Sequence, residues 1–87
     1  MQTENSQEIM RLKWACRRGM LELDVLLGNF LEDKYVTLSE ADKKNFIALL
    51  ETPDPELFDV LMGRAQFTDA NLMNIVEAIR NHAQKRI

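Results

Sequence analysis

Met20-Leu21-Glu22-Leu23-Asp24-Val25-Leu26-Leu27-Gly28-Asn29-Phe30-Leu31-Glu32-Asp33 is the stretch whose reading decides the fold class. Met20, Leu23, Leu27 and Phe30 recur at intervals of three and four, so they share one face of a helix, with Leu26 and Leu31 on its flanks. Glu22, Asn29 and Asp33 occupy the other side. Arg18 extends that polar stripe if the helix starts early enough, because it stands four residues before Glu22.

The same spacing continues outward in both directions, and no stretch alternates at two as a strand does. Upstream, a helix is predicted over about residues 7–17, with Ile9, Leu12 and Cys16 on its inner face and Asn5 with Glu8 spaced as a capping box. Gly19 interrupts the pattern, since glycine costs about 1 kcal/mol against alanine inside a helix. Downstream, Thr37 or Ser39 caps a third helix whose apolar face is Phe46, Leu49 and Leu50, with Ile47 beside them. Asp54-Pro55-Glu56 starts a fourth: an N-cap, a proline suited to the first helical position and an acid at the positive end of the dipole. Leu57, Phe58 and Leu61 give it an apolar side, and Gly63 is placed to end it. A fifth helix is predicted from near Thr68, with Phe67 and Leu72 spaced as a hydrophobic staple and Leu72, Ile75, Val76, Ile79 and Ala83 as its core stripe. The expectation is an all-α, compact single-domain bundle of five short helices over residues 1–87.

With 87 residues, the chain has room for one core and little for an enclosed active site. A formal net charge of −3 argues against a nucleic-acid binder, which needs a dominant basic surface. The polar N-terminus resembles neither a signal peptide nor an Arg-rich transit peptide, and no apolar run approaches the roughly 20 residues that span a bilayer. Cys16 is the single cysteine, which fits a reducing compartment, and a bacterial cytoplasmic location is expected.

Chemistry-bearing motifs are missing. Gly19, Gly28 and Gly63 are isolated, so there is no phosphate-binding loop and no dinucleotide fingerprint. One histidine and one cysteine hold no zinc, and Ser39-Glu40-Ala41-Asp42 lacks the oxygen ligands and central glycine of a calcium loop. Cys16 has no base partner nearby and reads as a small buried residue, while His82, on a basic helix end, reads as a solvated surface residue. No catalytic, metal or stable cofactor site is expected, and the chain reads as a non-enzyme.

The unusual segment is Trp14-Ala15-Cys16-Arg17-Arg18-Gly19-Met20-Leu21-Glu22-Leu23-Asp24. Two arginines at a helix end and two acids at the next helix start suit the helix dipoles, and equally form a polar recognition corner. Leu21 and Val25 lie off the core stripe beside Glu22, which is the composition of a partner-binding patch. This segment resembles the defining Arg-Gly-x-x-Glu motif of the succinate dehydrogenase flavin assembly factors, the SdhE/YgfY family, through Arg18, Gly19 and Glu22. Phe46-Ile47-Ala48-Leu49-Leu50-Glu51 and Asp54-Pro55-Glu56-Leu57-Phe58 resemble the family's middle section, with one departure at Val60, where many members carry tryptophan.

The resemblance implies a compact helical bundle that binds the flavoprotein subunit of succinate dehydrogenase, and in bacteria that of fumarate reductase, and promotes covalent attachment of FAD. The flavin would be handled in the partner, with none bound stably by this chain, expected to be a monomer. On the motif, Arg18 and Glu22 would contact the flavoprotein and Gly19 would let two backbones approach. Arg17 and Asp24 would contact it or orient the turn, Met20 would pack inward or touch the partner, and Leu21 would extend the patch. Trp14 is expected to be a partly buried anchor between helices. The alternative function is a soluble antitoxin-like partner of a small membrane toxin, which also needs a helical binding surface.

Overall fold

Gly19 does separate two helices, and the chain after it folds back on the first. The computed structural model describes residues 2–86, with side chains described for residues 7–85. The order is α1 (Gln2–Ala15), α2 (Leu21–Lys34), a 3-10 turn (Tyr35–Thr37), α3 (Glu40–Leu49), α4 (Asp54–Leu61) and α5 (Ala70–Arg86). All regular elements among the described residues are helical, as the spacing of three and four requires. α5 packs against α2, α3 and α4, and α1 packs against α2.

The core follows the predicted stripes. Leu12 and Cys16 from α1 and its end, Leu23, Leu27, Phe30 and Leu31 from α2, Phe46, Leu49 and Leu50 around α3, Leu57, Val60 and Leu61 from α4, and Ile75, Val76 and Ile79 from α5 form one buried cluster. Phe46 stands at its centre, 5.6 Å from the Phe30 ring and 5.9 Å from the Tyr35 ring between centroids. Val60 is buried, so the departure from tryptophan is one of packing.

Helix ends differ in informative ways. α1 starts at Gln2, so Asn5 lies within the helix and not at its cap; its side chain lies outside the described residues. α1 ends at Ala15, leaving Arg17 and Arg18 in the connection, and α2 starts only at Leu21, so Arg18 does not extend its polar stripe. Ser39, not Thr37, caps α3 by accepting the Asp42 N–H at 3.1 Å, while the Thr37 hydroxyl donates to the Lys34 carbonyl. Asp54 is the first residue of α4 and not its cap, because its carboxylate is turned to Arg18. Asp69, rather than Thr68, receives the first N–H groups of α5, from Asn71 and Leu72. Phe67 and Leu72 both pack on the core. Ile47 lies on the outer side of α3, exposed.

His82 corrects a second expectation. Its side chain is largely covered, edge-on to Phe30 with centroids 5.7 Å apart, and its Nε2 lies 2.9 Å from Asp33 Oδ2. It ties the end of α5 to the end of α2.

Candidate docking face around Gly19

The connection from α1 to α2 is built on one left-handed residue. Gly19 has φ +84°, a conformation that side chains resist, and a Cβ added there would meet nothing within 4 Å. The glycine is therefore required by the turn, not by a close approach inside the chain, and the space outside it is open. The Asp24 carboxylate accepts the Arg18 backbone N–H at 2.6 Å, which fixes the turn against the first coil of α2.

Arg18 itself faces inward. Its guanidinium is 13% exposed and donates to the Leu50 carbonyl, to the Thr52 carbonyl at 3.3 Å and to Asp54 Oδ1 at 2.9 Å. The expected contact residue is thus occupied within the chain, by acceptors more than thirty positions away that spacing alone does not reveal. Asp24 takes the turn-orienting role foreseen for it, and Met20 packs against the core. Glu22 and Leu21 point outward, Leu21 with 77% of its surface exposed.

Trp14 reverses the expectation of a buried anchor. It lies on the outer face of α1, 69% exposed, with the Arg17 guanidinium 5.7 Å from its ring centre. The α1 stripe of Ile9, Leu12 and Cys16 takes the inner face, which leaves Met10 and Trp14 outside. The missed signal was this registration: Trp14 is two residues from both Leu12 and Cys16, off their face.

Two recesses flank Lys13 and Arg17. One, of about 230 Å³, is bounded by those two with Met10 and Trp14. The other, an open groove of about 650 Å³ between α1 and α2, is bounded by them together with Gly19, Asp24, Val25 and Gly28. Gly28 opens the groove, since a Cβ there would also meet nothing. Of the expected contact residues, Arg17, Gly19 and Asp24 line the groove, while Arg18, Met20, Leu21 and Glu22 lie outside its lining. Cys16 forms part of its floor, but the thiol is 2% exposed and burial pushes it up to about 11, with the Asp24 charge adding to the rise and the Arg18 charge opposing it. That thiol is a poor nucleophile at neutral pH.

A third recess, about 470 Å³, lies at the other end of α2 against Phe30, Leu38, Ala78 and His82. It is separated from Gly19 by the length of α2, about 20 Å at 1.5 Å per residue. No group of acids, histidines and cysteines among the described residues is arranged to hold a metal ion, and no helix there is long and apolar enough to cross a membrane.

Comparison with known proteins places the same segment in a family. Residues 10–83 match the family model described as flavinator of succinate dehydrogenase, Sdh5. The chain is similar to proteins named FAD assembly factor SdhE: 51% identical to that of Shewanella oneidensis over 86% of this chain and 92% of the relative, 47% to that of a Serratia species over 87% and 86%, and 40% to that of Vibrio cholerae over 94% and 95%. It also resembles the solution structure of a UPF0350 protein, with TM-score 0.78 and 41% identity over 93% of this chain and 86% of that one. A match that runs from Met10 through the Gly19 turn and all the later helices leaves one conclusion: the chain belongs to the flavinator family of succinate dehydrogenase.

Proposed function

We propose that this chain is an assembly factor that docks on the flavoprotein subunit of succinate dehydrogenase through the Gly19 face and promotes covalent attachment of FAD to that subunit. The observation that carries the docking surface is the open left-handed turn at Gly19, flanked by exposed Leu21, Glu22 and Val25 on α2 and by exposed Trp14 and Met10 on α1. An apolar patch with charged neighbours is the composition of a partner interface, and tryptophan and arginine are the residues that most often dominate binding energy.

The chain acts by binding and not by chemistry. It favours one arrangement of the flavoprotein over others and so raises the population in which the flavin and its acceptor side chain meet. FAD is handled in the partner. The same face serves the fumarate reductase flavoprotein as a second client, and the chain works as a monomer. A lone buried thiol and bacterial relatives support a cytoplasmic setting.

The test is covalent flavin on the succinate dehydrogenase flavoprotein, read as fluorescence of the denatured subunit with and without this chain. Restoration by wild type and not by Gly19→Arg, with helicity by circular dichroism unchanged, is expected. Equal fluorescence without the chain rejects the proposal, and capture of a small membrane toxin instead turns to the antitoxin reading.

A further inference from the structure

We propose that Arg18 is a positioning residue acting through Asp54, and that Asp54, outside the motif, is required for the docking face although it touches no partner. This rests on the reading that the Gly19 face binds the flavoprotein.

Arg18 is held at both ends. Its backbone N–H is taken by Asp24, and its guanidinium reaches Leu50, Thr52 and Asp54 on the connection between α3 and α4. Leu50 is the C-cap of α3, so its carbonyl is among those a helix end leaves without an internal partner. Asp54 begins α4, and its carboxylate pairs with the guanidinium at 2.9 Å. One planar fork thus joins the Gly19 turn, the end of α3 and the start of α4. Nε is buried with no partner of its own, and both Nη atoms already donate within the chain, so the guanidinium is turned inward and away from the docking face.

The geometry explains why an arginine precedes the glycine. A lysine offers a point charge that cannot serve three divergent acceptors. Glu22, Leu21 and the open side of Gly19 form the surface, and Arg18 with Asp54 sets the angle at which it is presented.

The experiment compares Arg18→Ala, Arg18→Lys, Asp54→Ala, Asp54→Asn and the double alanine variant, with the buried Val76→Ala as a control that lowers thermal stability without touching the Arg18 set. Asp54→Asn keeps shape and removes charge, and carries the test if the alanine variant unfolds. Amide hydrogen exchange at Arg18 and Gly19, measured without any partner, is expected to quicken in the Asp54 variants and not in Val76→Ala. Affinity for the isolated flavoprotein subunit is expected to fall about tenfold in either single alanine variant, with no further loss in the double variant. Wild-type affinity in Asp54→Ala and Asp54→Asn, or multiplying losses in the double variant, overturns the proposal in favour of direct contact by Arg18. If the wild-type chain fails to bind the flavoprotein, the docking reading falls, while unchanged exchange at Arg18 and Gly19 in the Asp54 variants would separately sink the positioning role.

Discussion

Asp24 reaches back six residues to the Arg18 backbone N–H, its Oδ1 2.6 Å from the nitrogen. A hydrogen bond to a charged group contributes about 1.5–3 kcal/mol, and this one closes the turn that Gly19 makes possible. Asp24→Ala is expected to lower unfolding free energy by about 2 kcal/mol in urea titration, and Asp24→Asn by less, because an amide oxygen still accepts.

Gly19 and Gly63 share positive φ values, 84° and 82°, but not surroundings. Alanine at either site costs about 1–2 kcal/mol in backbone strain. At Gly63 the new Cβ meets the end of the Arg80 side chain at 3.0 Å, which can swing aside. Thermal melting is expected to show similar losses, while only the Gly19 variant weakens flavoprotein binding in titration calorimetry.

Trp14 is the single tryptophan, so its fluorescence reports one place. Being exposed, it contributes little to folding, and Trp14→Ala is expected to change stability by less than about 0.5 kcal/mol. Loss of a central tryptophan from an interface costs about 2 kcal/mol or more. The expected result is a blue shift of wild-type emission on adding flavoprotein, and at least a tenfold weaker complex for Trp14→Ala.

Cys16 makes the fold sensitive to alkali. Its thiol is raised from 9.0 to about 11 in the folded chain, so the folded state holds a proton that the unfolded state releases between those values. The stabilisation is full below about pH 9 and is lost as pH rises through about 11, a fall of about 3 kcal/mol. Tyr35, also raised, by burial and by its hydrogen bond to Glu8, acts in the same direction at higher pH. Denaturant melts at pH 8, 9.5 and 11 are expected to show this decline, reduced in Cys16→Ala. At pH 8 the thiol of the folded chain should resist iodoacetamide and react once unfolded.

Much of the fold was legible because helix periodicity is local. The buried residues of α2, α4 and α5 follow their three-and-four spacing, Gly19 lies in the turn between α1 and α2, and Gly63 follows the end of α4, where isolated glycines interrupted the pattern. The choice between Thr37 and Ser39 was not legible, since both spacings satisfy a capping box and only the geometry of the 3-10 turn selects Ser39. For the candidate site, the segment was legible and the role of each side chain was not. Leu21 and Glu22 face outward as expected, while Arg18 turns in and Trp14 turns out.

What the sequence by itself determined is which residues share a face of each helix and where each helix breaks, because both depend on backbone preferences within a few residues. Which faces become covered was decided by the tertiary structure. Asp54, predicted to cap its own helix, instead neutralises Arg18 thirty-six residues away, and His82, predicted to face solvent, is pinned to Asp33 across forty-nine. A covered polar group needs a partner wherever the packing brings one, and that choice is made only when the helices meet.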